Sequence, residues 1–245
     1  MSLFATNNSR KFSILKDIYE VDSFSERKVL FSGGQDSTFI LYTLASFINE
    51  HPRFNSPNNI NENFTIQCYY IKTTQFGNYL QIREEVARIK IKEFIEKKFP
   101  RIKITLTPVD FSNLEISAVG HAQVAVMPIL SLLLEEHSRL YLGQGVTDAV
   151  TVEIQDCGKT KVEIFKDVFN GFTKLASKYD IKSVFPLIES GITRAIIQDY
   201  LEEVGLLNLC TWCNNETQFD TDYRICVCSK CAGHRREYNT HLQEC

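Results

Sequence analysis

An excess of charge of one sign is the first thing this chain lacks. Its 245 residues carry 27 Lys and Arg against 30 Asp and Glu, a formal net charge of −3. That balance gives no electrostatic case for nucleic acid or a membrane surface as partner. No apolar run approaches the roughly 18 residues that read as a bilayer span. The first residues show no basic start followed by an apolar stretch, so a signal peptide is not expected. The expectation is a soluble, cytoplasmic protein. Evenly spread cysteines are missing too. Cys210, Cys213, Cys226, Cys228 and Cys231 crowd into one window, while Cys68, Cys157 and Cys245 are scattered. In an intracellular chain such a cluster reads as metal ligands before it reads as disulfides. Internal repeats are absent, and the one biased tract is the Asn-, Pro- and Ser-rich loop from His51 to Asn63.

What is present suits one α/β domain with a small appendage: 44% apolar and 23% charged residues over a length typical of that arrangement. Residues 1–27, polar at first and mildly apolar around Phe12–Leu15, are expected to form a partly ordered arm that packs on the domain, with 28–205 the main domain and 206–245 a cysteine-rich tail. Strands are expected at Lys28–Phe31, Phe64–Ile71, Ile102–Leu106, Arg139–Gly143 and Ser183–Leu187. Helices are expected after the first glycine pair, over Asn78–Lys98 with Ile82, Val86, Ile89, Phe94 and Ile95 on its apolar face, over Gln123–His137, over Glu163–Tyr179, and over Ile192–Val204. Strands alternating with long crossovers predict a doubly wound, five-stranded parallel sheet with helices on both faces. Ligands of such sheets sit at the carboxyl ends of strands. The loops Ser32–Ser37, Lys72–Asn78 and Gln144–Asp148 therefore converge on one crevice.

The most informative stretch is Phe31-Ser32-Gly33-Gly34-Gln35-Asp36-Ser37-Thr38, between the first strand and its helix. Glycines let the backbone approach a ligand closely. Ser32, Ser37 and Thr38 bring hydroxyls, Asp36 stands at the helix start, and the free N–H groups there favour phosphate. Two familiar phosphate-loop signatures are missing: the Gly-Lys-Ser/Thr ending of a Walker loop, and three spaced glycines of a dinucleotide fold.

In the tail, Cys210-Thr211-Trp212-Cys213 and Cys226-Val227-Cys228-Ser229-Lys230-Cys231 have the short spacings of zinc knuckles. Cys213, Cys228 and Cys231 belong to every sensible ligand set. Spacing alone favours Cys210 as the fourth, with Cys226 the alternative. A closed thiolate site is structural rather than catalytic, and a tail with little apolar periodicity needs such a staple.

Ser-Gly-Gly-Gln-Asp-Ser resembles the PP-loop of the ATP pyrophosphatase superfamily. With the cysteine cluster behind the last α/β unit, the layout from about residue 28 to 236 resembles QueC, the 7-cyano-7-deazaguanine synthase family. That resemblance implies a ligase that adenylates a deazapurine carboxylate, releasing pyrophosphate and then AMP as ammonia or another amine attacks the activated acyl group. ATP, Mg²⁺ and Zn²⁺ are the implied cofactors, and a homodimer the implied assembly. It further implies that Ser32, Gly33, Gly34, Gln35, Asp36, Ser37 and Thr38 hold the phosphates. Main-chain groups at Phe31 and Ile71 meet adenine. Gly145 and Asp148, in Leu142-Gly143-Gln144-Gly145-Val146-Thr147-Asp148, line the nucleotide. Arg194, after Pro186-Leu187, replaces a family lysine at the departing pyrophosphate, so Asp36, Ser37 and Arg194 are the catalytic candidates. In the tail the family pattern prefers Cys213, Cys226, Cys228 and Cys231.

The substrate side departs from the family. Phe76-Gly77-Asn78-Tyr79-Leu80 keeps an aromatic and a glycine but loses an arginine and a histidine. Gly120-His121-Ala122 stands where the family has Gly-Arg-Asn, and Asp156-Cys157 is all that survives of Asp-Cys-Arg. Phe76, Gly77, His121, Asp156 and Cys157 are thus the candidate acceptor contacts, though a local helix-start bond is the plainer reading of His121. The alternatives are an antiphage-defence enzyme with a macromolecular, for instance protein, acceptor, a tRNA-modifying PP-loop enzyme, or a non-catalytic ATP-binding module.

Overall fold

A computed structural model of the chain describes residues 3–21, 26–52, 54, 63–72, 77–113, 119–146, 152–154, 159–178 and 180–211, without the side chains of 3–8, 21, 77–80, 119–124, 152–154 and 161. Helix α1 (Leu3–Val21) comes first. Then strands and helices alternate: β1 (Glu26–Leu30), α2 (Gln35–Glu50), β2 (Phe64–Lys72), α3 (Gly77–Lys98), β3 (Ile102–Asp110), α4 (Val119–Leu133) and β4 (Ser138–Leu142). A small antiparallel pair, β5 (Val152–Ile154) and β6 (Lys159–Thr160), leads into α5 (Lys161–Leu175). The series closes with β7 (Lys182–Val184), α6 (Pro186–Ser190), α7 (Arg194–Glu203) and a 3-10 turn at Leu207–Leu209.

The main sheet runs β3-β2-β1-β4-β7, and every pairing in it is parallel. Residues alternate between its faces, as a period of two requires. Val29, Phe31, Ile66, Cys68, Ile102, Ile104 and Tyr141 join the core beneath α1, α2, α3 and α7. Tyr69, Val109, Leu140 and Leu142 join a second core with α4 and α5. The five-stranded α/β expectation therefore holds. Among the described residues, no helix is long and apolar enough to cross a membrane.

Three elements differ from expectation. The N-terminal arm packs on the domain as expected, through buried Leu15 and Tyr19, but does so as a long helix. Tyr19 shares a 2.9 Å hydrogen bond with the Thr43 hydroxyl and meets Tyr141 edge-on, 5.6 Å between centroids. The fifth strand stops at Val184, because Pro186 needs no N–H at a first helical position and starts α6. Gly191, at φ 66°, ends that helix left-handed. Finally, α3 keeps Phe94 and Ile95 of its expected face against the core but turns the earlier residues of that stripe outward. Ile82, Val86 and Ile89 are 53, 44 and 43% exposed, whereas Ala87, Arg88, Ile91 and Ile95 are buried. In α4, Val126, Met127 and Leu130 fill the second core, and Leu132 and Leu133 at the helix's end are half exposed.

Candidate phosphate-binding site

Strand β1 is central, and its neighbours β2 and β4 lie on opposite sides. The chain's winding reverses between β1 and β4, which makes the carboxyl end of β1 a topological switch point where ligands of open parallel sheets bind. The segment 31–38 occupies that point. Phe31 is fully buried, and its N–H donates to the Tyr69 carbonyl at 2.7 Å, so the main chain is still tied to β2 as the loop begins. Ile71 lies two residues beyond Tyr69 on β2, at the same end of the sheet.

The carbonyls of Ser32, Gly33 and Gly34 are each claimed by protein donors. Arg88 Nη1 donates to the Ser32 carbonyl at 3.2 Å. The Thr211 N–H donates to the Gly33 carbonyl at 2.8 Å, making a parallel bridge between Gly34 and Thr211. The Gly34 carbonyl accepts from the Thr38 N–H at 3.0 Å and from the Ser37 hydroxyl at 3.2 Å. Because a trans peptide sets its N–H opposite its C=O, the following N–H groups are turned the other way. The Gly34 N–H donates to Ser32 Oγ at 3.2 Å, and the Ser32 and Ser37 hydroxyls lie 3.2 Å apart. Gln35 to Ser37 open the first turn of α2, whose N–H groups have no acceptor within the helix. With its partial positive end, this is a cradle for anionic oxygens.

Two glycines make the shape possible. Gly33 sits at φ +82°, in the left-handed region, against Arg88 and the α3 backbone. Gly143, just past β4, lies so close to α2 that a Cβ there would stand 2.8 Å from the Ser37 nitrogen. The 31–38 segment and the loop after β4 are thus in contact.

Side chains from the far end of the chain complete the site. Arg194, at the start of α7, stands 3.5 Å from Asp36 Oδ2, both groups about a quarter exposed. Gln198, one turn later, donates from Nε2 to Gln35 Oε1 at 3.3 Å. Gln35 is itself buried, and its Nε2 has no acceptor among the described residues. Thr38 is buried beside Cys210, whose thiol donates to the Leu206 carbonyl at 3.4 Å. Burial pushes the Cys210 thiol up to about 12, only partly offset by the Thr38 hydroxyl. Leu206, Leu207 and Cys210 all belong to the main core, so the described start of the tail packs with the α/β domain.

Among the sequence-predicted residues, the structure brings together Phe31, Ser32, Gly33, Gly34, Gln35, Asp36, Ser37, Thr38 and Arg194, with Ile71 alongside. Gly145 follows β4 in the same group of loops, and Gly77 begins α3. His121 lies in the first turns of α4, its side chain outside the described set. Phe76, Asp148, Asp156, Cys157, Cys213, Cys226, Cys228 and Cys231 lie outside the described residues. Arg88, Gly143, Gln198 and Thr211 are additions that motif reading misses. For Arg88 one signal exists: it occupies the stripe that continues to Ile91 and Ile95, a cation in a core-facing position.

The five-stranded parallel sheet flanked by helices is compatible with a Rossmann-like or PP-loop fold. No model of a known protein family and no curated protein matches the chain significantly.

Proposed function

We propose that this protein is a PP-loop, ATP-dependent ligase resembling the QueC family, which activates a carboxylate of deazaguanine type for attack by ammonia or another amine. One observation carries the reading. The Ser32–Thr38 loop has its carbonyls turned onto protein donors at the switch point of a parallel sheet, while Arg194 arrives beside Asp36.

In this reaction a carboxylate oxygen of the substrate attacks the α-phosphorus of ATP, and the α–β bridging P–O bond breaks to release pyrophosphate. The amine then forms a C–N bond at the acyl carbon, AMP leaves, and the amine's extra proton passes to solvent. The chain's part is placement and charge. First-turn N–H groups and the Ser32 and Ser37 hydroxyls bind phosphate oxygens. Arg194 offers a planar fork to the departing pyrophosphate. Main-chain groups at Phe31 and Ile71 frame the adenine, and Phe76, Gly77, His121, Asp156 and Cys157 are the acceptor side. Mg²⁺, when bound with the nucleotide, neutralises phosphate charge, and Asp36 and Asp148 are the carboxylates for it. For zinc, the buried and hydrogen-bonded state of Cys210 supports assigning the ligands to Cys213, Cys226, Cys228 and Cys231.

Incubation with ATP, Mg²⁺, 7-carboxy-7-deazaguanine and ammonia, followed by mass spectrometry, tests the proposal. AMP, pyrophosphate and a mass change in the base are the expected products. ATP consumed only when tRNA or a protein acceptor is supplied would move the acceptor from free base to macromolecule. No ATP turnover under any of these conditions would sink the ligase reading.

A further inference from the structure

The loop's shape is fixed from behind, by a charge that no phosphate-loop motif includes. Arg88 projects from the buried face of α3, and its side chain is only 5% exposed. Its guanidinium lies 4.1 Å over the Tyr70 ring, donates to the Ser32 carbonyl at 3.2 Å, and reaches Glu84 only at 3.4 Å. Its Cγ lies where a Gly33 Cβ would come within 3.3 Å, so the side chain fills the space behind the glycine. Burying a cation is costly unless it is paired and hydrogen-bonded. An α3 built only for packing would place an aliphatic residue here, as it does at Ile91 and Ile95.

We propose that Arg88 is the positioning residue of the phosphate loop, its guanidinium holding the Ser32 carbonyl so that the Gly33 N–H is aimed at a bound phosphate. This role rests on the loop's being an ATP phosphate site. The geometry follows from the planar peptide. Pulling the Ser32 C=O toward α3 turns the Gly33 N–H toward the opposite side. The left-handed Gly33 then lets its own carbonyl swing to Thr211. Arg88 also leaves a fixed positive charge behind a loop that lacks the lysine of a Walker sequence. Lysine at this position would keep the charge but lose the flat fork that bonds a carbonyl and stacks on Tyr70 together.

Binding of MgATP, inorganic pyrophosphate and adenosine to the full chain tests this, comparing wild type with Arg88→Met and Arg88→Lys. Calorimetry serves for the phosphates and saturation-transfer NMR for adenosine. Arg88→Met should weaken MgATP and pyrophosphate at least about tenfold, as loss of a charge-assisted bond does, while adenosine affinity stays within about twofold. Arg88→Lys should fall between, and it carries the same comparison if the Met variant does not fold. Adenosine weakened in proportion would mean a scaffold role and overturn the inference, as would unchanged binding of all three ligands. A wild-type protein that binds neither MgATP nor pyrophosphate would instead overturn the ATP reading itself, and Arg88's role with it.

Discussion

The guanidinium of Arg194 stands 3.5 Å from the Asp36 carboxylate, joining the start of α7 to the start of α2 across 158 residues of sequence. The two groups sit at the rim of the same loop. In the proposed reaction Asp36 holds the cation in place until a phosphate takes over part of its fork. Arg194→Ala should lower kcat/KM for ATP by about 100-fold, the scale of losing one electrostatic stabiliser of a developing charge. Arg194→Lys should retain part of the activity, since it keeps the charge without bidentate geometry. Thermal stability should change little, because a partly exposed pair contributes about 1 kcal/mol or less. Pyrophosphate release against ATP concentration separates these outcomes from a folding defect.

Gly143 makes the sharpest steric prediction. A Cβ at this position would meet the Ser37 nitrogen at 2.8 Å and the Asp36 carbonyl carbon at 3.1 Å. Both are backbone atoms of the helix start, so neither can rotate away. Gly143→Ala should cost about 1–3 kcal/mol of stability through overpacking, and should weaken pyrophosphate binding by displacing the first turn of α2. Gly171 is the control. It lies within α5 with nothing within 4 Å of a Cβ, so Gly171→Ala should stabilise by about 0.5–1 kcal/mol and leave binding unchanged. Chemical denaturation and calorimetry on the two variants give both readouts.

The strand–glycine-turn–helix and the sheet are legible in the sequence because their signals are local. A strand, two glycines, hydroxyls and an apolar helix follow one another within about fifteen residues. The face of α3 is not legible, since Ile82, Val86 and Ile89 have the same helical spacing as a core stripe yet are exposed. What decides the face is tertiary: small Ala87 lets α3 approach Gly33, and Arg88 finds a carbonyl to bond. Thr211 is invisible for the same reason, because its role belongs to its backbone N–H and not to its side chain. Arg194 is reached only through resemblance to a family lysine, and the structure then sets it beside Asp36. The end of β7 is misjudged because Phe185-Pro186-Leu187 is apolar enough for a strand, while Pro186 starts a helix.

At the opposite end of the sheet, Asp180 links β4 to β7. Its carboxylate meets His137 Nδ1 at 2.9 Å and Arg139 Nη2 at 2.7 Å, and these partners, His137 first, hold its pKa below the ordinary carboxylate value. A depressed carboxylate pKa gives stability that is fully present above the unfolded value, about 4. That stability is lost as pH falls through the folded value. Asp180→Asn should therefore lower the melting temperature at pH 7. The gap from wild type should close as pH drops below about 4. Melts over a pH series read this directly, and a gap independent of pH would refute the linkage.

The Thr211 N–H bond to the Gly33 carbonyl ties the start of the tail to the candidate phosphate site, and Cys213 follows two residues further on in the sequence. If Cys213, Cys226, Cys228 and Cys231 hold zinc, metal analysis should find about one ion per chain. Cys226→Ser should lose it, whereas Cys210→Ala should keep it, since the Cys210 thiol is engaged with Leu206 inside the core. Stripping the metal with a chelator should loosen the chain beyond residue 211, free the Gly33 carbonyl from its donor, and weaken MgATP binding severalfold while the sheet stays folded. Alkylation offers an independent check on Cys210. A thiol pushed up to about 12 by burial is almost wholly protonated at pH 8, so Cys210 should resist iodoacetamide in the native protein and react on denaturation. Loss of zinc from Cys210→Ala would return it to the ligand set, and rapid native labelling of Cys210 would break the link drawn here between its thiol and the core.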